Sequence, residues 1–348
     1  INSAADDAAG LAIATRMQTQ INGLNQGVQN TNDAVSLIQT ASSQLSSLTS
    51  SLQRISTLAN EAATGTLSAS DQAAAEQEVA AQIQEVNRIA SQTNFNGKNL
   101  LDGTAGIVTF QVGANVGQTV SLDLSQSLSA AKIGGGLVPA GQKVGDIENL
   151  SLDANGAATT AAQPAITQVN VLSDGKGGFT FTDQNGQALS TTAVGAIFSG
   201  GTAAGTGTAV TTLALQTGAT SNMTTAQASA AATAISQINA VNAPPTVSNL
   251  SISNATGANQ TIFSVANALQ TINNLQATLG ATQNRLQSIA QTQQANSTNL
   301  SSAQSQIQSA DFAQETANLS KAQVLQQAGI SVLAQANSLP QQVLKLLQ

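Results

Sequence analysis

Few side chains in this 348-residue sequence could do chemistry. The acids come closest together at Asp6-Asp7, and along Glu76, Glu78 and Glu85 with Arg88 beside them. A catalytic or metal-binding pair needs two carboxylates converging on one point. Neighbours on a helix point about 100° apart, so Asp6 and Asp7 diverge. They suit the positive first turn of a helix instead. The Glu76–Arg88 group reads as a solvated helix face. Gly134-Gly135-Gly136 and Gly175-Lys176-Gly177-Gly178 lack the spacing of a phosphate loop and its Lys followed by Ser or Thr, so they read as flexible turns. The sequence has no Cys and no His. That excludes disulfides, thiolate chemistry, His general bases, Ser-His-Asp or Cys-His catalysis, and Cys or His metal sites. The reading is a protein that is not an enzyme and uses no cofactor and no metal.

Composition narrows the classes further. Charged residues make up 8%, against about 25% in an average globular protein. The formal charge is −7 and no basic cluster occurs, so nucleic acid is excluded as a partner. No apolar run reaches the roughly 18–20 residues of a membrane span. All seven aromatics are Phe, which leaves no indole or phenol platform for a sugar or a base. Apolar residues make up 41%, many of them Ala, and suit thin helical layers better than one thick core.

The elements follow from periodicity and from where helix breakers fall. Prolines occur at 139, 164, 244, 245 and 340 only, and most glycines lie between 104 and 222. Both ends therefore read as helical and the middle as irregular or β. Ile21, Leu24, Val28, Val35, Ile38, Leu45, Leu48, Leu52, Ile55, Ala59 and Ala62 form one stripe, with Thr31 and Ser42 in two of its slots. A helix over about 5–62 would be roughly 85 Å long, so it needs partner helices along its length. Gly65-Thr66 ends it. Ser68 or Ser70 caps a second helix that runs to about Ile89 or Ala90. Val108, Phe110 and Val112 alternate, as do Val120, Leu122 and Leu124, predicting a β-hairpin around Asn115–Gly117. Residues 139–245 read as an inserted domain. It has a hairpin across Asp174-Gly175, between alternating runs at 166–172 and 179–181, and a helix near 224–243. In the C-terminal part, Ile272, Leu279, Leu286, Gln293, Leu300 and Ile307 recur every seven residues. Leu275, Thr282, Ile289, Asn296, Ala303 and Ala310 form the companion row of a heptad seam. The outer faces are rich in Gln, Asn and Ser, which pack against other chains without the desolvation cost of ions.

The fold class is thus mainly α with a β-rich insert, a long antiparallel bundle built from both chain ends. Its parts are 1–138, 139–245 and 246–348. Against this frame the opening Ile1-Asn2-Ser3-Ala4-Ala5-Asp6-Asp7-Ala8-Ala9-Gly10-Leu11-Ala12-Ile13-Ala14 resembles the N-terminal motif of bacterial flagellins. Leu52-Gln53-Arg54-Ile55, Gln92-Thr93-Asn94-Phe95-Asn96-Gly97 and Phe110-Gln111-Val112-Gly113-Ala114-Asn115 are similar to further flagellin motifs. So are Leu279-Gly280-Ala281, Gln283-Asn284-Arg285-Leu286 and the tail from Ala322 to Asn337. The resemblance covers roughly 1–125 and 265–348. The family ordinarily has a few tens of residues before the position of Ile1, so an N-terminally truncated chain is expected.

The resemblance implies a structural subunit that self-assembles into the flagellar filament for motility, exported by the flagellar type III apparatus to the cell surface. It implies as partners other copies of the chain, an export chaperone and hook-junction and cap proteins. A hook-junction protein with the same terminal motifs is the nearest relative reading. A cell-surface adhesin or polysaccharide-binding protein on the same scaffold is the alternative from another class. The heptad positions Ile272, Leu279, Leu286, Leu300 and Ile307 are the expected assembly seam. The resemblance also implies a patch read by an animal innate immune receptor, at Gln53, Arg54, Leu58, Glu78 and Arg285. Arg54 and Leu58 are four residues apart and share a helical face, so the patch is expected as a charged rim around an apolar centre.

Overall fold

The computed structural model describes residues 7–199, 212–309 and 312–346, with 312–314 and 337–346 described through the backbone alone. Helix α1 runs over Ala8–Ala63, three residues later at its start than the stripe alone suggests. Asp7 caps it: its carboxylate accepts the Ala9 N–H at 3.0 Å and its carbonyl accepts the Leu11 N–H, satisfying donors the first turn leaves open. Asp6 lies outside the described residues. Helix α2 spans Ala69–Gln92, with Ser68 as its N-cap. Strands β1 (Asn94–Phe95) and β2 (Lys98–Asn99) form a two-residue hairpin. β3 (Gly106–Gln111) and β4 (Thr119–Leu124) form the hairpin that the alternation predicts.

The insert is built on a three-stranded antiparallel sheet of β5 (Lys143–Ile147), β6 (Val169–Ser173) and β7 (Phe179–Asp183). Asp174-Gly175 does join β6 to β7. Ile166, expected at the start of β6, instead exchanges backbone hydrogen bonds with Leu152, because a separate segment offers it a partner. Helix α3 (Thr191–Ile197), strands β8 (Phe198–Ser199) and β9 (Ala214–Leu215) and helix α4 (Thr225–Val241) complete the layer over the sheet. α4 opens on a capping box between Thr224 and Gln227. The insert's acids shape turns. The Asp153, Asp174 and Asp183 carboxylates each accept two backbone N–H groups, from residues two and four positions ahead. This recurring Asp-x-x-Gly device went unread in the sequence, where only single turn dipeptides stood out. Helix α5 then covers Ala255–Gln308 and α6 covers Phe312–Leu346.

The chain divides into two compact units. One comprises 1–33, 110–120 and 286–348, and the other 34–109 and 121–285. In the first, α1 and α5 run antiparallel. Ser297 Oγ donates to Asn25 Oδ1 at 2.9 Å, and Gln304 Nε2 donates to the Ala14 carbonyl and to Gln18 Oε1. Thr31 fills its stripe slot without a buried polar debt, since its hydroxyl donates to the Gly27 carbonyl at 2.7 Å. The β3–β4 hairpin lies directly on α1 where the helix has glycine. A Cβ at Gly27 would meet the Val112 carbonyl group, its carbon at 2.8 Å. In the second unit, Ile38, Leu45, Leu48, Leu52 and Ile55 are fully buried. The sheet and helices of the insert share one core there, from Val138 to Val241. Glu76, expected on a solvated face, instead accepts the Ile252 N–H at 2.6 Å while Gln72 donates to the Ile252 carbonyl. The segment leading into α5 crosses α2 and its backbone needs those partners.

Two glycines with opposite surroundings test this packing. Gly27→Ala forces a methyl into the hairpin backbone and should lower stability by about 1–3 kcal/mol, the usual cost of overpacking. Gly280→Ala sits in the middle of α5 with open space around it and should raise stability by up to about 1 kcal/mol through helix propensity. Urea unfolding midpoints of the two variants check both signs.

Candidate functional site

A filament-forming or partner-binding role would reside in surfaces rather than in a cleft. Among the described residues no group of three metal-ligating side chains converges, and no helix is long and apolar enough to cross a membrane. Two surfaces stand out. The first is α6. Leu319, Val324, Leu325, Ile330, Val332 and Leu333 are each 58–67% exposed, so the helix presents these aliphatic side chains to solvent. Its 35 residues carry only Glu315, Lys321 and Lys345 as charges. At 100° per residue five of these six positions fall on two lines, and Val324 lies on a third side of the helix. Leu319, Ile330 and Leu333 make one, and Leu325 with Val332 make another about 120° away.

The second surface surrounds Arg54. Its Nε and Nη2 donate to Glu78 Oε1 and Oε2 at 2.6 and 2.9 Å, a bidentate bridge from α1 to α2. Both side chains remain partly exposed. The bridge raises the Arg54 pKa and lowers that of Glu78, chiefly through the side-chain hydrogen bonds. Glu85 and Arg88 form a similar pair within α2. Gln53 is exposed beside Arg54, and Arg285 is exposed on α5, with no ion pair among the described residues. Leu58 differs from expectation. It is 4% exposed and belongs to the core. Positions four apart share a helical flank, yet the buried stripe is wide enough to take Leu58 while Arg54 reaches out from its edge. The apolar centre expected for the patch is therefore absent at that position.

The heptad positions also sort differently from the expected seam. Ile272, Leu279 and Leu286 are fully buried within the chain itself, so they hold this molecule's own bundle together. Leu300 and Ile307 are half-buried. Between and beside them the seam turns polar at Gln293, Ser297 and Gln304, and Asn296 of the companion row is exposed.

This arrangement of long end helices, an inserted sheet domain and a bare terminal helix has close counterparts. Residues 1–106 match the bacterial flagellin N-terminal helical region, 136–241 the flagellin D2 domain, and 262–347 the bacterial flagellin C-terminal helical region. The B-type flagellin of Pseudomonas aeruginosa is 34% identical, across the whole of this chain and 92% of its own length. The chain belongs to the bacterial flagellin family. Flagellin A of Vibrio anguillarum is also 34% identical, over the whole chain and 90% of its own length. The solved structure of FliC from Burkholderia pseudomallei is 62% identical and superposes with a TM-score of 0.67, covering 72% of this chain and 99% of that one. As a flagellin, the protein is a structural subunit of the flagellar filament at the cell surface. The flagellin D2 match falls on the sheet-bearing insert, and the C-terminal match takes in both α5 and the exposed α6.

The Arg54–Glu78 bridge has a pH signature. Glu78 titrates below its ordinary 4.5 in the folded chain, so the bridge stabilises fully above that value and is lost as pH falls through the lowered one. Glu78→Gln should therefore be less stable than wild type at pH 7. The difference should close as pH drops well below 4.5. Denaturation midpoints of both proteins across this range check the sign.

Proposed function

We propose that α6 is the element through which this flagellin polymerises. The observation that carries the reading is the set of exposed aliphatic side chains, two lines of them and Val324 on a third side, on a helix with almost no charge. A surface meant only for water usually carries more charge. Two lines about 120° apart fit a helix flanked by neighbours on both sides, as in a tube of helices. Burying each of these side chains contributes on the order of 2 kcal/mol before association costs. Repetition along a polymer makes that a strong drive. The uncharged Gln, Asn and Ser faces of α5 supply secondary contacts without burying ions.

The subunit works without catalysis, and rotation of the assembled polymer does the mechanical work. It is secreted by the flagellar type III apparatus with the help of an export chaperone, and meets hook-junction and cap proteins at the filament ends. Gln53, Arg54, Glu78 and Arg285 are the residues on which an animal innate immune receptor would act, with Leu58 supporting Arg54's turn from beneath. A polysaccharide-binding role for the insert has less support. Its Phe179, Phe181 and Phe198 are all buried, and Phe181 and Phe198 stack on each other, which leaves no aromatic face for a sugar among the described residues of the insert.

The decisive variant is Leu325→Glu with Val332→Glu. Both positions are exposed, so the monomer should keep its unfolding midpoint while seeded polymerisation, followed by light scattering and electron microscopy, is lost. Filaments of ordinary length from this variant would overturn the role of α6. For the receptor, Arg54→Ala should weaken signalling by the monomer roughly 30-fold if Arg54 is an anchor worth about 2 kcal/mol. Equal potency removes it from recognition.

A further inference from the structure

Four Asn-Gly pairs occur in the sequence, at Asn22, Asn96, Asn155 and Asn185. In such a pair the backbone can modify itself, because the glycine nitrogen has no side chain to shield the neighbouring carboxamide from its attack. The sequence makes the four equivalent, and the fold separates them. Asn22-Gly23 lies within α1, where the glycine N–H is held in the helix ladder and Ala114 closes over it, 2.8 Å from a Cβ built at Gly23. Gly156 is buried, and its N–H donates to the Asp153 carbonyl at 3.0 Å. The Gly186 N–H donates to the Asp183 carbonyl at 3.1 Å. These two glycines stand in the Asp-x-x-Gly turns of the insert.

Asn96-Gly97 is different on each count. The pair forms the tip of the β1–β2 hairpin, with φ of 49° and 79°, the left-handed pairing of a type I′ turn. Both residues are exposed. Nothing lies within 4 Å of a Cβ built at Gly97, and the Gly97 N–H makes no hydrogen bond among the described residues. The hairpin below has only the pairs Asn94↔Asn99 and Phe95↔Lys98, so little ladder must open for the tip to change shape.

We propose that Asn96 is this chain's principal site of spontaneous deamidation. The Gly97 nitrogen gives up its proton and forms a bond to the Asn96 side-chain carbonyl carbon. The bond from that carbon to Nδ2 breaks, and ammonia leaves with the proton. Water then opens the resulting imide at either carbonyl, giving Asp at 96 or its isomer with the backbone routed through the side chain. The first product sets a carboxylate two residues from Lys98. The second inserts a methylene into a turn that has room for two residues only. Either change begins next to the buried Leu100 and Leu101 without entering the core.

The test uses the intact folded chain held at mildly alkaline pH, sampled over days and digested with trypsin. The peptide from Ile89 to Lys98 contains Asn94 as well as Asn96, so fragment ions assign the one-dalton gain, and electron-based fragmentation separates the two isomers. Deamidation at Asn96 should outpace each of the other three sites by about fivefold or more, the factor set by breaking one backbone hydrogen bond. In denaturant the four rates should converge, since the protection of the others comes from the fold. Asn22, Asn155 or Asn185 reacting as fast as Asn96 in the folded chain would overturn the assignment. So would an unchanged order of rates in the unfolded chain.

Discussion

The structure depends on one constraint. The apolar stripe of α1 belongs to a helix of 56 residues, and no helix can bury its own face. A compact core would cover only a few turns of it. Elements of comparable length must therefore lie alongside, and the chain supplies one from its other end, the 54-residue α5. Ile272, Leu279 and Leu286 are fully buried as a result. The middle of the sequence is left as an excursion between two helices that have to meet. The Asp-x-x-Gly turns and four of the five prolines, at 139, 164, 244 and 245, fall in that excursion or its links, and Pro340 alone lies within a helix, α6.

The same constraint explains the seam's gradient. Toward the middle of the chain it is aliphatic and closed. Toward Ile307 it becomes a ladder of amides and hydroxyls, with Ser297 on Asn25 and Gln304 on Gln18. Neutral hydrogen bonds keep register without the desolvation cost of charges, but they add less stability than buried leucine. The most weakly apolar part of the bundle therefore belongs to the same compact unit as α6, whose aliphatic lines stay exposed. A flagellin subunit has to be stable alone and still keep apolar surface for its neighbours. Here that surface is concentrated on one nearly uncharged helix.

The few charges serve local structure. Asp7 caps α1, Glu76 holds the backbone before α5, and Arg54 ties α1 to α2 through Glu78. The acids of the insert fold its turns. Many of the ions thus position backbone or a neighbouring helix, and among the described residues no group of three acids converges.

Residue order alone made legible the long end helices and their antiparallel pairing, the hairpin at 108–124, the turn between the runs at 166–172 and 179–181, and the family, because periodicity, breakers and short motifs are local signals. Tertiary structure decided which side of each helix edge a residue falls on. Arg54 and Leu58 share a flank by spacing, yet one meets water and the other the core, since the width of the buried stripe depends on what packs against it. Glu76, read as solvated, found a backbone partner 176 residues away. The heptad row could not say whether its leucines serve this molecule or the next one. Burial assigns Ile272, Leu279 and Leu286 to the chain's own bundle and leaves Leu319, Leu325 and Leu333 of α6 uncovered. Spacing along a chain fixes which residues share a face, and only the packed neighbours fix what that face touches.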